Sequence, residues 1–209
     1  VTDRVMGAKR IGLTTSLAAS NTAGFIASVS RALRQLLQVG ARGLGAIMQG
    51  LQYFARRNGF LSLPASPLRG YLRTRDGLES PDAYMMVQPF LVTPDLKLAK
   101  EAGMSIIAHQ LRPDSKGSIH IASSDAHQHP EIRYNFLSAA SDRDCVGAAM
   151  RLVRKIVEAP DMSWLGPREF APGPDVQADD ELLDYVTQTA ETTYHPIGTC
   201  KMGQDPIGW

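Results

Sequence analysis

The run Tyr194-His195-Pro196-Ile197-Gly198-Thr199-Cys200-Lys201-Met202-Gly203 sets a histidine between an aromatic ring and a proline, then follows it with a Gly-Thr turn. A neutral imidazole titrates near pH ~6.5, so it can take a proton from an alcohol as charge develops on the oxygen. Pro196 removes a backbone donor and restricts the conformation of His195. Gly198 lets the backbone approach a large flat ligand closely, and Thr199 supplies a small donor beside it. A single histidine near a turn is more often structural than catalytic, so this local chemistry does not assign a role by itself.

Other residues offer chemistry of lower specificity. Asp125, His127 and His129 alternate along one extended segment and could present two imidazole ligands. No cysteine or further carboxylate completes that set and Pro130 ends it, so the segment reads as a polar surface loop with no metal. His109 and His120 fall in strand patterns and read as polar-face or hydrogen-bonded sheet residues. Met85, Met86 and Phe90 could line a substrate cavity, but ordinary core packing is the better reading of them. Cys145 and Cys200 form no CxxC pair and read as free thiols of a reducing compartment.

The elements that must position these groups follow from hydrophobic period. Residues 1–23 lack periodicity, and Ser16, Ser20, Asn21 and Thr22 read as loop. Ile26, Val29, Leu33, Leu36 and Leu37, then Leu44, Ile47, Met48, Leu51 and Phe54, recur at helical steps. Gly40, Gly43 and Gly45 should divide that stretch into two helices, with Gly59 as a left-handed cap on the second. Residues 83–92 and 104–111 read as strands, and 117–123 alternates most cleanly. Residues 113–117 have the composition of a hairpin turn joining those last two strands, and 132–136 offers a further short strand. Ser141 with Asp144 resembles a capping box opening a helix along Val146, Met150, Val153 and Val157. Pro160, Pro167, Pro172 and Pro174 mark an irregular arm, and Asp179-Asp180-Glu181 opens a last helix to about residue 192. Helices, then a block of strands joined by hairpins, then helices predict an α+β fold with an antiparallel sheet.

Composition sets wider bounds. The chain has 209 residues, 44% hydrophobic and 21% charged, as in an ordinary globular protein. No apolar run approaches the ~20 residues of a membrane span, and no signal peptide is visible, which predicts a cytoplasmic protein. Residues 1–82 carry 11 basic and 4 acidic side chains, against 11 and 17 in residues 83–209. The basic part leaves open peripheral contact with a membrane surface or an acidic partner; solvated helix faces explain it as well. Its basic residues are dispersed and few aromatics interleave with them, which argues against nucleic-acid binding.

The pattern His195-Pro196-x-Gly198-Thr199-Cys200-x-Met202-Gly203 resembles the C-terminal motif of the glucose-methanol-choline (GMC) oxidoreductases, most closely their choline dehydrogenase-like members. These are FAD-dependent, alcohol-oxidising enzymes. A second stretch is similar to the family's sheet region: Leu111-Arg112-Pro113-x-Ser115-Lys116-Gly117-x-Ile119-x-Ile121-x-Ser123-x-Asp125, then Pro130-x-Ile132-x-x-Asn135-Phe136-Leu137. Lys116 stands where an arginine is usual, and Ala126 where a proline is usual. Leu51-Gln52-Tyr53 through Gly59, and Ser80-Pro81-Asp82, also look like the family's middle region.

The resemblance implies roles for particular residues. His195 would be the active-site base or hydrogen-bond partner of the substrate hydroxyl. Tyr194 would border the substrate cavity, and Pro196 and Thr199 would lie near the flavin. The glycine-rich βαβ fingerprint that cradles FAD is not found, since Gly43-x-Gly45 is followed by Met48 and lies in a helical pattern. The expectation is therefore a piece of a longer enzyme, which begins with Val1 and is cut at both ends. Residues 1–50 would form a helical lead-in, and 51–209 a substrate-binding domain truncated at its C-terminus. The complete parent would bind FAD and a small-molecule alcohol. The alternative is a separate, non-catalytic binding domain without flavin.

Overall fold

The computed structural model describes residues 22–37, 44–93, 97, 99, 103–195, 197, 198 and 204. Helix α1 spans Thr22–Leu37, so Thr22 and Ala23 are helical and do not belong to a loop. Its Phe25, Val29, Ala32 and Leu33 recur at helical steps and are buried. Ser30 fixes the helix laterally: its Oγ donates to the Asp161 carbonyl at 2.5 Å and accepts from Trp164 Nε1 at 2.9 Å. The Arg34 guanidinium lies 4.3 Å from the centroid of the Trp164 ring.

Helix α2, Leu44–Arg56, buries none of its residues. Leu44, Ile47, Met48, Leu51 and Phe54 line one exposed face, with Leu44 at 82% and Phe54 at 74%. Gly45 lies inside α2 and not in the break; a glycine costs a helix only about 1 kcal/mol and does not end it. Gly40 and Gly43 lie outside the described residues. Arg57, not Gly59, is the left-handed residue after this helix, with φ 52° and its N–H donating to the Tyr53 carbonyl at 2.8 Å. Gly59 instead takes φ 94° and ψ −166°, which is glycine territory, and leads into a single 3-10 turn at Phe60–Ser62.

Three antiparallel strands follow: β1 (Leu68–Leu72), β2 (Ala83–Gln88) and β3 (Ser105–Gln110), with β2 in the centre. Strand β1 has a weak sequence signature because Gly70 occupies the middle inward position, where an apolar side chain would complete the alternation. The glycine is needed there. A Cβ at residue 70 would stand 2.4 Å from the Phe25 ring. Leu68 and Leu72, then Ala83, Met85 and Val87, enter the core with Phe25, Val29, Ala32 and Leu33. Helix α1 thus shares one core with the sheet across residue 50.

The stretch 117–123 does not extend this sheet. It supplies only the three-residue strand β4, Ser118–His120, which pairs with β5, Glu131–Arg133, in a separate exposed ribbon. The expected hairpin between β3 and β4 is absent for a definite reason. Asp142 draws the chain away, its Oδ1 accepting from Asp114 N and its Oδ2 from Ser115 N, each at 2.8 Å. Both amides are thereby spent on a helix terminus and cannot close a hairpin turn.

Asp142 lies in the first turn of α3, Ala140–Val157, whose N-cap is Ala139. The capping box expected at Ser141 does not form; Ser141 Oγ donates to Asp114 Oδ2 at 2.5 Å. Ala149 and Ile156 of α3 join the core together with Met162 from a 3-10 segment at Pro160–Leu165. The proline-rich arm then runs back along α3. Arg154 binds Glu169 Oε1 at 2.9 Å and the Val176 carbonyl at 2.8 Å, and Arg151 pairs with Asp179. Helix α4, Asp179–Thr189, starts there, with Glu181 Oε2 accepting from Gln177 N and Ala178 N. The architecture is α+β with antiparallel sheets, as the order of elements predicted.

Two substitutions test this packing. Gly70→Ala should cost about 1–3 kcal/mol through overpacking, and a smaller residue at position 25 should recover part of it. Burial raises the pKa of Asp142, but hydrogen bonds from the Ser115 side chain, the Asp114 and Ser115 amides and Gln110 outweigh it and leave the carboxyl lowered. Its stabilising contribution is therefore present above the unfolded value near pH ~3.9 and is lost as pH falls through the lower folded value. Asp142→Asn should cost about 1.5–3 kcal/mol at neutral pH, because one amide donor would then face an NH2 group. Urea denaturation of each variant measures both effects. Unchanged midpoints would refute the packing account.

Candidate active site

The histidine motif leaves α4 along an exposed path. Thr192 Oγ1 accepts from Tyr194 N at 3.1 Å, and Tyr194 takes φ 59°, so the chain bends sharply just before His195. A second bend falls at Gly198, φ 93°. Tyr194, His195 and Ile197 are all exposed, and a Cβ at Gly198 would meet nothing within 4 Å. Pro196 and Thr199, the two residues expected beside a flavin, lie outside the described residues, as does Cys200.

One group that registers the charge of His195 lies on the sheet. Alternation sends Leu68, Gly70, Leu72, Ala83, Met85 and Val87 to the core, so Arg69, Tyr71, Tyr84 and Met86 occupy the opposite face. The register sets Tyr71 against Tyr84, and Tyr84 against His109. These three rings form a row across three strands. The Tyr71 and Tyr84 centroids are 5.0 Å apart, and Tyr84 stacks on His109 at 5.5 Å with ring planes 11° apart. Burial first, and the charge of His195 second, push the His109 imidazole below its ordinary value. His195 therefore lies within electrostatic reach of the end of this row. Desolvation also raises the Tyr84 phenol, against the opposing charge of Arg69.

His109 was legible in the sequence only as a polar-face sheet residue. It does lie on the face away from the core. What the sequence did not carry is its electrostatic coupling to residue 195, 86 positions away, which only the tertiary fold creates.

The remaining candidates lie apart. His120 stands exposed on β4. Asp125, His127 and His129 occupy an exposed loop in which Asp125 Oδ1 accepts from His127 N at 2.9 Å and Ser123 Oγ from Asp125 N at 3.1 Å. Among the described residues, no group of three His, Cys, Asp or Glu side chains is placed to hold a metal ion. Met85 is a core residue, while Met86 lies half-buried on the open sheet face. A pocket of about 300 Å³ lies between the β1–β2 connection and α3, lined by Arg75, Asp82, Arg112, Asp142 and Cys145 among others. It shares no lining residue with the His109 row. The Cys145 thiol there is pushed up to about 11 by burial and by the Asp82 carboxylate, so it stays protonated and is no nucleophile at neutral pH.

A family profile described as GMC oxidoreductase matches residues 113–208, a span that takes in α3, α4 and the whole histidine motif. Residues 113–208 are thus similar to a GMC oxidoreductase C-terminal domain. Relatives of the chain include the oxygen-dependent choline dehydrogenase of Chromohalobacter salexigens, 38% identical over 136 residues, which is 65% of this chain and 24% of that protein. The oxygen-dependent choline dehydrogenase of Cronobacter sakazakii is 36% identical over 139 residues, 66% of this chain and 25% of that protein. The chain thus spans about a quarter of the length of the curated relatives it matches.

Solved structures share the fold of this chain. The formate oxidase of Aspergillus oryzae RIB40 superposes with a TM-score of 0.66 at 19% identity, covering 78% of this chain and 33% of that one. Pyridoxine 4-oxidase from Mesorbium loti gives 0.59 at 23%, covering 70% and 31%.

The pairing of the two histidines has a direct test. In an NMR titration, His109 should titrate below ~6.5 and should move part-way back toward it in His195→Gln. Its lowered value also makes the folded state lose stability as pH falls from ~6.5 to the folded pKa, because the unfolded chain protonates first. A His109 that titrates at ~6.5 or higher, or that ignores the change at residue 195, would separate the two rings.

Proposed function

We propose that the polypeptide to which this chain contributes oxidises an alcohol to a carbonyl compound, with FAD as acceptor and His195 as base. The observation that carries this reading is His195 itself. It lies exposed in a Tyr-His-Pro-x-Gly-Thr motif inside the GMC-matched region, and its charge acts on the half-buried His109. The relatives named as oxygen-dependent choline dehydrogenases support a hydroxyl-bearing substrate.

The described residues fit a large flat cofactor. Tyr194 and Ile197 offer exposed apolar surface, and the glycine at 198 leaves the space beside it open. Pro196 and Thr199 would border it. Bound there, FAD supplies a two-electron acceptor for the hydride leaving the substrate carbon.

The chain's own part is proton handling and placement. His195 accepts the proton of the substrate hydroxyl on a ring nitrogen as the carbon–oxygen bond gains double-bond character. The alcohol loses one proton to His195 and one hydride to the acceptor, so atoms and electrons balance. Tyr194, next to the base, borders the cavity and helps keep water from it. His109 is neutral at pH 7, so it adds no positive charge that would oppose protonation of His195.

In the intact polypeptide, His195→Ala should lower the turnover number by about 10²- to 10⁴-fold, the usual worth of a positioned general base. Rates of the unaltered enzyme should fall as acid protonates His195, and added imidazole should restore part of the variant's activity. Near-normal turnover in His195→Ala, with flavin retained, would remove the assignment.

A further inference from the structure

We propose that Thr192 is a positioning residue of the reaction, its hydroxyl setting the bend at Tyr194 that aims the His195 ring at the substrate hydroxyl. This rests on the reading of His195 as base and deepens it by naming what holds that base in place.

Helix α4 ends at Thr189, and Ala190 beyond it is extended, with ψ 142°. Of the residues that lead into the motif, Glu191, Thr193, Tyr194 and His195 are exposed, while Thr192 is half-buried. Thr192 Oγ1 accepts from Tyr194 N at 3.1 Å. A hydroxyl bonded to the amide two residues on stands in for a backbone carbonyl and closes a turn. Threonine suits this task better than serine, because its β-branch restricts χ1 and presets the oxygen.

The residue whose amide is held has an unusual backbone. Tyr194 takes φ 59°, a left-handed conformation that is costly for an aromatic residue. Its ring is 76% exposed, so packing among the described residues does not impose that backbone. The Thr192 bond is a contact that favours it. From the other side, Pro196 confines the backbone of His195 to extended values. The two constraints together fix the direction in which the imidazole leaves the chain. Direction matters to a base, because proton transfer requires a ring nitrogen within hydrogen-bond reach of the substrate hydroxyl. Two threonines precede the motif, and the structure separates Thr192, which bonds, from Thr193, which is exposed.

The test uses the intact flavin-loaded polypeptide with choline as probe. Thr192→Val keeps the side-chain shape and removes the acceptor. It should lower kcat about tenfold with flavin content and KM retained, as expected when a base is misaimed. Thr192→Ser should recover most of the loss, and Thr193→Val should cause none. In His195→Ala, adding Thr192→Val should cost nothing further, because the ring it aims is gone, whereas a merely structural loss would multiply. An NMR titration adds a readout that needs no turnover, and so decides even where choline is not a substrate. In Thr192→Val, His109 should move part-way back toward its ordinary value, since a displaced His195 acts on it less. Full turnover or an unchanged His109 titration in Thr192→Val, equal losses at residues 192 and 193, or multiplying losses in the double variant would overturn the positioning role and leave His195 as base. Near-normal turnover in His195→Ala would instead remove the base, and with it what Thr192 positions.

Discussion

The period-two alternation of β2 constrains everything that the sheet does. Ala83, Met85 and Val87 must point into the core, because α1 and α3 close over that face and leave no other apolar shelter. Once they do, Tyr84 and Met86 have no choice but to face the other way. Register then places Tyr71 and His109 on either side of Tyr84. A slip of one residue would bury Tyr84 and expose Met85, at the cost of the core. The aromatic row is therefore held by hydrophobic burial on the opposite face, and its geometry requires no separate stabilisation.

Helix α3 connects this sheet to the histidine motif. At its N-terminus, Asp142 holds the chain leaving β3 through two backbone amides, and the first-turn position also places its negative charge at the positive end of the helix. Further along, Arg151 and Arg154 hold the proline-rich arm that feeds α4. The arm has little regular structure, so side-chain bonds to its carbonyls replace a hydrogen-bond ladder. Both segments, β3 with His109 and α4 with His195 beyond it, thus take their position from one helix. The electrostatic coupling of the two imidazoles rests on that shared reference.

The helices and the central strands were legible because their apolar spacing is strong. The periods of α1, α3 and α4 and the alternation of 83–88 left little room for another reading. Failures came where a tertiary contact outweighed a local signal. Strand β1 was hidden by Gly70, whose missing side chain is a requirement of Phe25 across the core. The turn at 113–117 has hairpin composition, yet its amides are captured by Asp142 from 27 and 28 positions away. Ser141 had the type of an N-cap but bonds to Asp114 instead. In the site, His195 announced itself by its motif, whereas His109 carried no signal beyond strand period. Its significance comes from a neighbour that no local window contains.

The two histidines differ in burial, and that difference separates what each could contribute to the proposed chemistry. Two imidazoles in electrostatic contact cannot both be protonated cheaply. Here the conflict is resolved in advance, since His109 is half-buried and stacked on Tyr84, and desolvation is the larger cause of its lowered pKa. His195 stands exposed at the bend after Tyr194, where water or substrate reaches it. In the proposed reaction the exposed ring is the one a ligand can reach, while His109 stays within the aromatic row. Environment, not residue type, separates the two roles, and the environment is set by the sheet face that the core leaves open.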